Sequence, residues 1–455
     1  VLEPGHRRDR SAALTFAGLL LGYLLLRSQA TRLEGVIEGG FDSRAAAFLA
    51  QAPAFWFVRL LGGALEGRSA AVVIAAAVAW SLGLARLVSR GSSRLAVLCT
   101  LWVSIALVPE WTALHGAYVE LGQRLVYTAV PGIAIFWGAV AGTLFLPGRR
   151  ARAGVGAIAI LTVLGGTGRD VLRQDQMLQA GAAHLSEAVT ALSGEGRSVL
   201  FVNFPDRFEL RRAGYPIGYW GITLAPVVVD LTDLARLRDP AAGSSTSIAL
   251  PSVGHAEREA WRYRVDMRGA PSGASDLADA ARSVDAVYLT DYLDAGRLRL
   301  RRVGSLAGNP AAVPLATFGE AVELLGARVQ LAYGSSRAVD VGLDLAWRRI
   351  GEPRATETVF VHLFDPAGRQ VAGADGDGMG GLLPMAEWPA DRVLEDVRLL
   401  WFEGPRPGEY RLTVGVYDRE SGVRRRAAEA SIGRRVRDDE YPIATIVARR
   451  PGSAP

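Results

Sequence analysis

Residues Leu125–Gly148 form a run of 24 amino acids without a single charge. Coiled as a helix, the run is long enough to cross the ~30 Å hydrocarbon core of a bilayer. Arg124 and Tyr127 mark its start, and Arg149-Arg150-Ala151-Arg152 follows its end. Arg-rich flanks stay on the cytoplasmic side of a membrane, which sets Arg124 and Tyr127 on the opposite face.

Four further charge-free runs, Ser11–Leu26, Ser69–Ala85, Leu95–Pro109 and Ala153–Gly168, precede or follow it. Flanking Arg side chains extend such short runs by snorkelling to the interface. Five crossings with the N-terminus inside place His6–Arg10, the Arg86/Arg90/Arg94 cluster and Arg149–Arg152 together in the cytoplasm, and everything after Arg169 outside. The alternative is a set of buried helices in a protein core. Ala45–Val58, with Phe48, Phe55, Trp56, Phe57 and a central Pro53, is too short to span and fits a helix lying in the interface. None of the five runs contains an ionisable residue, which argues against ion-coupled transport.

All the basic residues are Arg and none is Lys. They are scattered or flank the apolar runs, so no nucleic-acid footprint emerges. Cys99 is the only cysteine, which excludes an internal disulfide framework. The chain begins at Val1, which reads as a trimmed N-terminus, and no signal-peptide cleavage site follows the first apolar run.

Tyr23-Leu24-Leu25-Leu26-Arg27, then Gly35 and Gly39-Gly40, resembles a late-helix pattern of multispanning GT-C-type glycosyltransferases, whose relatives use polyprenyl-phosphate sugars. Arg124-Leu125-Val126-Tyr127 followed by Gly132 is similar to their Arg-Tyr-Leu-Tyr-Leu-Pro-Ser-x-Gly signature, with Leu125 and Ala129 departing from it. The resemblance implies a catalytic carboxylate in an early outward loop. Nothing in this chain corresponds to it, so the chain reads as the C-terminal portion of such a protein. In its own chemistry, Arg124 beside Tyr127 pairs with a lipid-linked phosphate or acts as an interfacial anchor. Glu110, His115 and Glu120 share that loop as a possible site or as ordinary solvated residues.

From Val171 onward the pattern turns to mixed α/β. Leu178, Leu185, Val189 and Leu192 share a helical face, and Ser198–Val202, Pro226–Val229, Ser247–Leu250 and Val284–Leu289 read as strands. Asn203 and Asp206, at the end of a strand, suit either a ligand site or a side-chain-closed turn. From Phe318 the period becomes two: Val339, Val341, Leu343, Leu345 and Trp347 alternate with polar neighbours, as do Val359/Val361/Leu363 and Tyr410/Leu412/Val414/Val416. Such spacing predicts an antiparallel β-sandwich. Phe360–Asp365, Asp375, Gly381, Pro384, Trp388, Asp396 and Pro407-Gly408-Glu409-Tyr410 through Asp418 resemble a sandwich appended to bacterial membrane glycosyltransferases of the protein-mannosyltransferase type.

The expected architecture is therefore an α-helical membrane domain of about five transmembrane helices (1–169), an extracytoplasmic α/β domain (170–306), a linker (307–317) and an extracytoplasmic β-sandwich (318–448). It implies a multi-pass protein of a bacterial cytoplasmic membrane. No cofactor or metal is expected. Asp375-Gly376-Asp377 lies among glycines as a turn would, and His6, His115, His184, His255 and His362 are too dispersed for zinc. Trp388 and Tyr417 suit stacking on a sugar or service in the sandwich core. Two functions follow. One is sugar transfer from a polyprenyl-phosphate donor to an outward glycan or protein acceptor, with membrane lipids as partners. The other is a non-catalytic, membrane-anchored surface protein that binds envelope glycan or a protein.

Overall fold

The computed structural model describes residues 69–113, 129–143 and, with short gaps, 172–448. The chain divides into two compact units, 1–177 with 212–222 and 178–211 with 223–455. Three helices are described in the first: α1 (Ser69–Ser89), α2 (Ser93–Ala113) and α3 (Val130–Thr143). Leu87, Ala96, Cys99 and Phe136 are buried among them, and Trp80 stacks on Phe136 with ring centroids 3.7 Å apart.

Among the described residues no helix is long and apolar enough to cross a membrane. That finding overturns the five-span membrane domain, the multi-pass location and the GT-C-type membrane assignment. Of the uncharged run at 125–148, the described residues are 129–143, and they hold the 14 residues of α3, about 21 Å of helix. Helix α1 carries Arg86 in its last turn, and α2 includes Arg94, Pro109 and Glu110. The apolar runs at 11–26 and 153–168 and the interfacial segment at 45–58 lie outside the described residues.

The second unit is built on strands. In chain order they are β1 (Val199–Val202), β2 (Pro205–Leu210), β3 (Ile222–Thr223), β4 (Ser245–Ile248), β5 (Tyr263–Met267), β6 (Ala286–Asp291), β7 (Arg299–Gly308) and β8 (Ala316–Phe318). They continue with β9 (Val322–Ser335), β10 (Ala338–Arg349), β11 (Glu357–Phe364), β12 (Gln370–Gly373), β13 (Arg392–Glu403), β14 (Gly408–Asp418), β15 (Ala427–Glu429) and β16 (Tyr441–Ala448). One nine-stranded sheet runs β15-β8-β9-β10-β13-β7-β6-β1-β4, a four-stranded sheet runs β12-β11-β14-β16, and a small one runs β3-β2-β5.

The large sheet changes character along its width. Strands β4, β1 and β6 are parallel, and the segments joining them hold a helix at Leu231–Arg238 and another at Ala274–Ala281. Asp230 caps the first, its carboxylate accepting from the Thr232 amide at 3.1 Å. Strand β7 then runs antiparallel to both β6 and β13, so the sheet continues without a break into its antiparallel half. Residues 299–308 thus belong to a shared strand, which runs two residues into the 307–317 stretch expected to be a linker.

The alternation along β10 explains the sandwich. Val341, Leu343, Leu345 and Trp347 point into the core, where they meet Val359, Val361 and Leu363 of β11 and Leu412, Val414 and Val416 of β14. The β11–β12 hairpin is closed by Asp365, whose carboxylate accepts from the Ala367 and Arg369 amides, each at 2.9 Å. These bonds and the Arg369 guanidinium hold that carboxyl below its ordinary range against the opposing effect of burial.

Candidate functional site

Period-two alternation that buries one face of a strand commits its other face to the opposite side of the sheet. On β13, Leu394, Leu400 and Phe402 are inside, so Leu399 and Trp401 stand outside, 51% and 57% exposed. The strand register sets their neighbours: Trp401 lies opposite Asp340, Leu399 opposite Gly342, and Val397 opposite Asp344. On the next strand Gly342 faces Gln330 and Asp344 faces Arg328. Cross-strand neighbours on one face hold their Cβ atoms about 5 Å apart, so these eight residues form one continuous patch.

Its chemistry is mixed in an ordered way. Trp401 stacks on no other described ring, and its indole is the largest exposed apolar group of the unit. Beside it Gly342 leaves a trough between Leu399 and Gln330; a Cβ there would meet only Gln330 atoms at 3.7 Å. At the far end Arg328 donates to Asp344 through Nε at 2.9 Å and Nη2 at 2.6 Å, and Gln330 Nε2 adds a third bond at 3.2 Å. Asp340 has no hydrogen bond or ion pair among the described residues.

Beneath the patch, β13 is held rigidly. Arg398 and Asp396, both buried, pair at 2.7 Å. The guanidinium donates further to the carbonyls of Ala374 at 2.6 Å, Gly376 at 2.9 Å and Val359 at 3.3 Å. Asp396 also accepts the amide of Met379 at 3.0 Å, within a tight turn where Met379 takes a φ of +52°. Buried charges persist only when paired and hydrogen-bonded, and this pair satisfies both conditions.

The residues singled out in the sequence fall elsewhere. Trp388 is 2% exposed and donates its indole N–H to the Leu383 carbonyl at 3.1 Å, so no ring face is open to a ligand. Tyr417 is half-buried on the four-stranded sheet, 6.0 Å from Phe360. Burial and the charge of Asp375 raise its phenol, with Arg419 opposing. Glu110 lies in α2, its side chain among those not described, and His115, Glu120, Arg124 and Tyr127 lie outside the described residues.

The crevice beyond the carboxyl ends of β1 and β6, where open α/β sheets bind ligands, is filled by the protein itself. Asn203 is buried with a φ of +55°, its side-chain oxygen accepting from the Leu250 amide at 2.8 Å. Tyr292 donates to the Asn203 carbonyl and packs its ring on Trp261. Asp206 lies at the start of β2, its carbonyl accepting from the Leu224 amide. In the sandwich, Asp377 accepts from Thr358 at 3.1 Å and pairs with Arg419, while His362 lies 3.2 Å from Asp375. Among the described residues no three such side chains gather as metal ligands.

Sequence reading missed Trp401 because its strand does not look amphipathic. Asp396 and Arg398 occupy inward positions, which hides the alternation. The usable signal was the spacing of Leu394, Leu400 and Phe402, which sets Leu399 and Trp401 on the other side.

No family model and no curated protein matches the chain. Among solved structures, a β-glucuronidase from glycoside hydrolase family 2 is similar over 27% of this chain and 10% of its own, at 12% identity and a TM-score of 0.17. The C-terminal domain of wzt is similar over 31% of this chain and 76% of its own, at 13% identity and a TM-score of 0.15. The chain thus spans only a tenth of the glucuronidase, and at these TM-scores neither likeness bears on what the protein does.

Proposed function

We propose that this chain is a carbohydrate-binding protein and that the outer face of β13, β10 and β9 is its recognition surface. The observation that carries the reading is Trp401, 57% exposed on a regular, rigidly supported strand. A ring on a strand is held in place, so it loses little freedom when it stacks on the apolar face of a sugar. Hydroxyl groups at the sugar's rim then meet Asp340, Gln330 and the Arg328–Asp344 pair, which accept and donate in the same plane. The sugar-transfer reading depended on a membrane-embedded catalytic domain, so the binding alternative is the one the geometry favours.

The test is affinity electrophoresis of the full chain in gels cast with soluble polysaccharides. Removing about 100 Å² of aromatic face from water is worth up to about 2.5 kcal/mol. Trp401→Ala should therefore lose retardation roughly tenfold or more in affinity. Its thermal midpoint should stay put, because the ring makes no core contact. A variant retarded as strongly as the parent in every gel would refute the reading.

A further inference from the structure

The charges around Trp401 narrow the class of sugar. Asp340 lies directly opposite the indole. Exposed Glu403 is two residues further along β13, on the same face, and Asp344 completes a set of three carboxylates. Among the described residues of the patch a single guanidinium, Arg328, stands against them, already committed to Asp344 through two nitrogens. The patch therefore presents net negative charge, and the carboxylate nearest the ring has no counter-charge among the described residues.

From this arrangement we infer that the ligand is an uncharged pyranose polymer and that the surface discriminates against acidic glycans. The inference rests on the carbohydrate-binding reading above. Sugar hydroxyls are donors, and an ionised carboxylate is an acceptor only. A neutral ring lying on Trp401 brings its rim hydroxyls to Asp340, and each bond so formed is charge-assisted. A uronate in the same position would bring a second carboxylate to Asp340 and Glu403, with no free cation among the described residues of the patch to receive it. Like charges at such separations repel, and the repulsion weakens as salt rises.

The patch also has room for a chain rather than one ring. Three strands set about 4.8 Å apart, with paired rows along them from Trp401 to Val397, form an area larger than a single pyranose. Gly342 lies in the middle of that area. A Cβ there meets only ordinary contacts at 3.7 Å, so a larger side chain would project outward over the trough without straining the sheet. Position 342 is thus a place where binding can be blocked while the fold is kept.

The experiment compares the full chain, Gly342→Leu and Asp340→Asn in gels containing mannan, hydroxyethylcellulose or polygalacturonate at low and moderate salt. The expected result is retardation of the parent by a neutral polymer and at least tenfold weaker interaction with polygalacturonate, a gap that narrows as salt is added. Gly342→Leu should lose neutral-polymer binding tenfold or more with an unchanged melting midpoint. Asp340→Asn should shrink the neutral-over-acidic preference several-fold. If polygalacturonate binds as tightly as the neutral polymers and Trp401→Ala abolishes both, the charge inference fails while the carbohydrate-binding reading stands. If no polymer retards the parent, or Gly342→Leu binds as the parent does, the reading of this face fails as well.

Discussion

His184 shows how a single residue links burial to pH. It is fully buried on the helix at 174–194, its ring stacked on Phe204 with centroids 4.8 Å apart and its Nε2 3.2 Å from the Thr290 hydroxyl. Burial disfavours the imidazolium and draws the pKa from 6.5 down to about 4, only partly offset by Glu187. The 4.0 Å approach of Nδ1 to Glu187 is therefore made by a neutral ring at neutral pH. Because the unfolded chain binds the proton first, stability is complete above pH 6.5 and declines as pH falls toward 4, by about 3 kcal/mol in all. His184→Phe should flatten that part of the pH–stability curve in urea titrations. An acid limb equally steep in the variant would show that other groups control it. Sequence periodicity places Leu178, Leu185, Val189 and Leu192 on one face, yet Leu178 is 54% exposed. Val189 and Leu192 are buried as that face requires, and the buried stripe continues toward the N-terminus through Ala188, His184, Gly181 and Met177. Gly181 is there because Leu224 and Phe208 come too close for a Cβ, and that closeness is invisible before the chain folds.

Among elements, the seam between β7 and β13 sets the shape of the sheet. Gly304 pairs with both Val287 and Asp396 and takes a φ of +154°. A Cβ at this position would lie 2.1 Å from the Glu395 carbonyl oxygen. Gly304→Ala adds backbone strain to a clash with main chain that cannot rotate away, a cost of about 3 kcal/mol. Its denaturation midpoint should fall accordingly; a change within about 0.5 kcal/mol would mean the seam relaxes freely. The strands flanking the seam were unequally legible. Val341, Leu343, Leu345 and Trp347 announce β10 because nothing interrupts their alternation. Strand β13 is masked by Asp396 and Arg398, an ion pair whose burial depends on carbonyls from Val359 to Gly376 that lie far away in sequence. Pattern reading registers composition along one strand, whereas this pair is satisfied only across several.

At the scale of the whole molecule, continuity of the nine-stranded sheet decides how the second unit behaves. Its parallel and antiparallel halves meet at β6, β7 and β13, so the stretch from Ala311 to Pro314 connects strands of one sheet. Cleavage at a protease site introduced there, beside Val313 at 78% exposure, should leave both fragments together on a sizing column under native conditions. Separation of the fragments would show that β7 and β13 do not hold the halves. The apolar runs of the first unit were the loudest signal in the sequence and led furthest astray. An uncharged run bounds where a helix could lie, but charge alone does not separate a span from a helix that packs on its neighbours, as Phe136 of α3 does on Trp80 of α1.

The recognition surface is most directly tested by collisional quenching of tryptophan fluorescence with acrylamide, comparing the parent with Trp401→Phe. The parent should show an additional quenchable component, and a saturating neutral polysaccharide should abolish the difference between the two proteins by covering the indole. A difference that persists undiminished in the presence of polysaccharide would contradict the account.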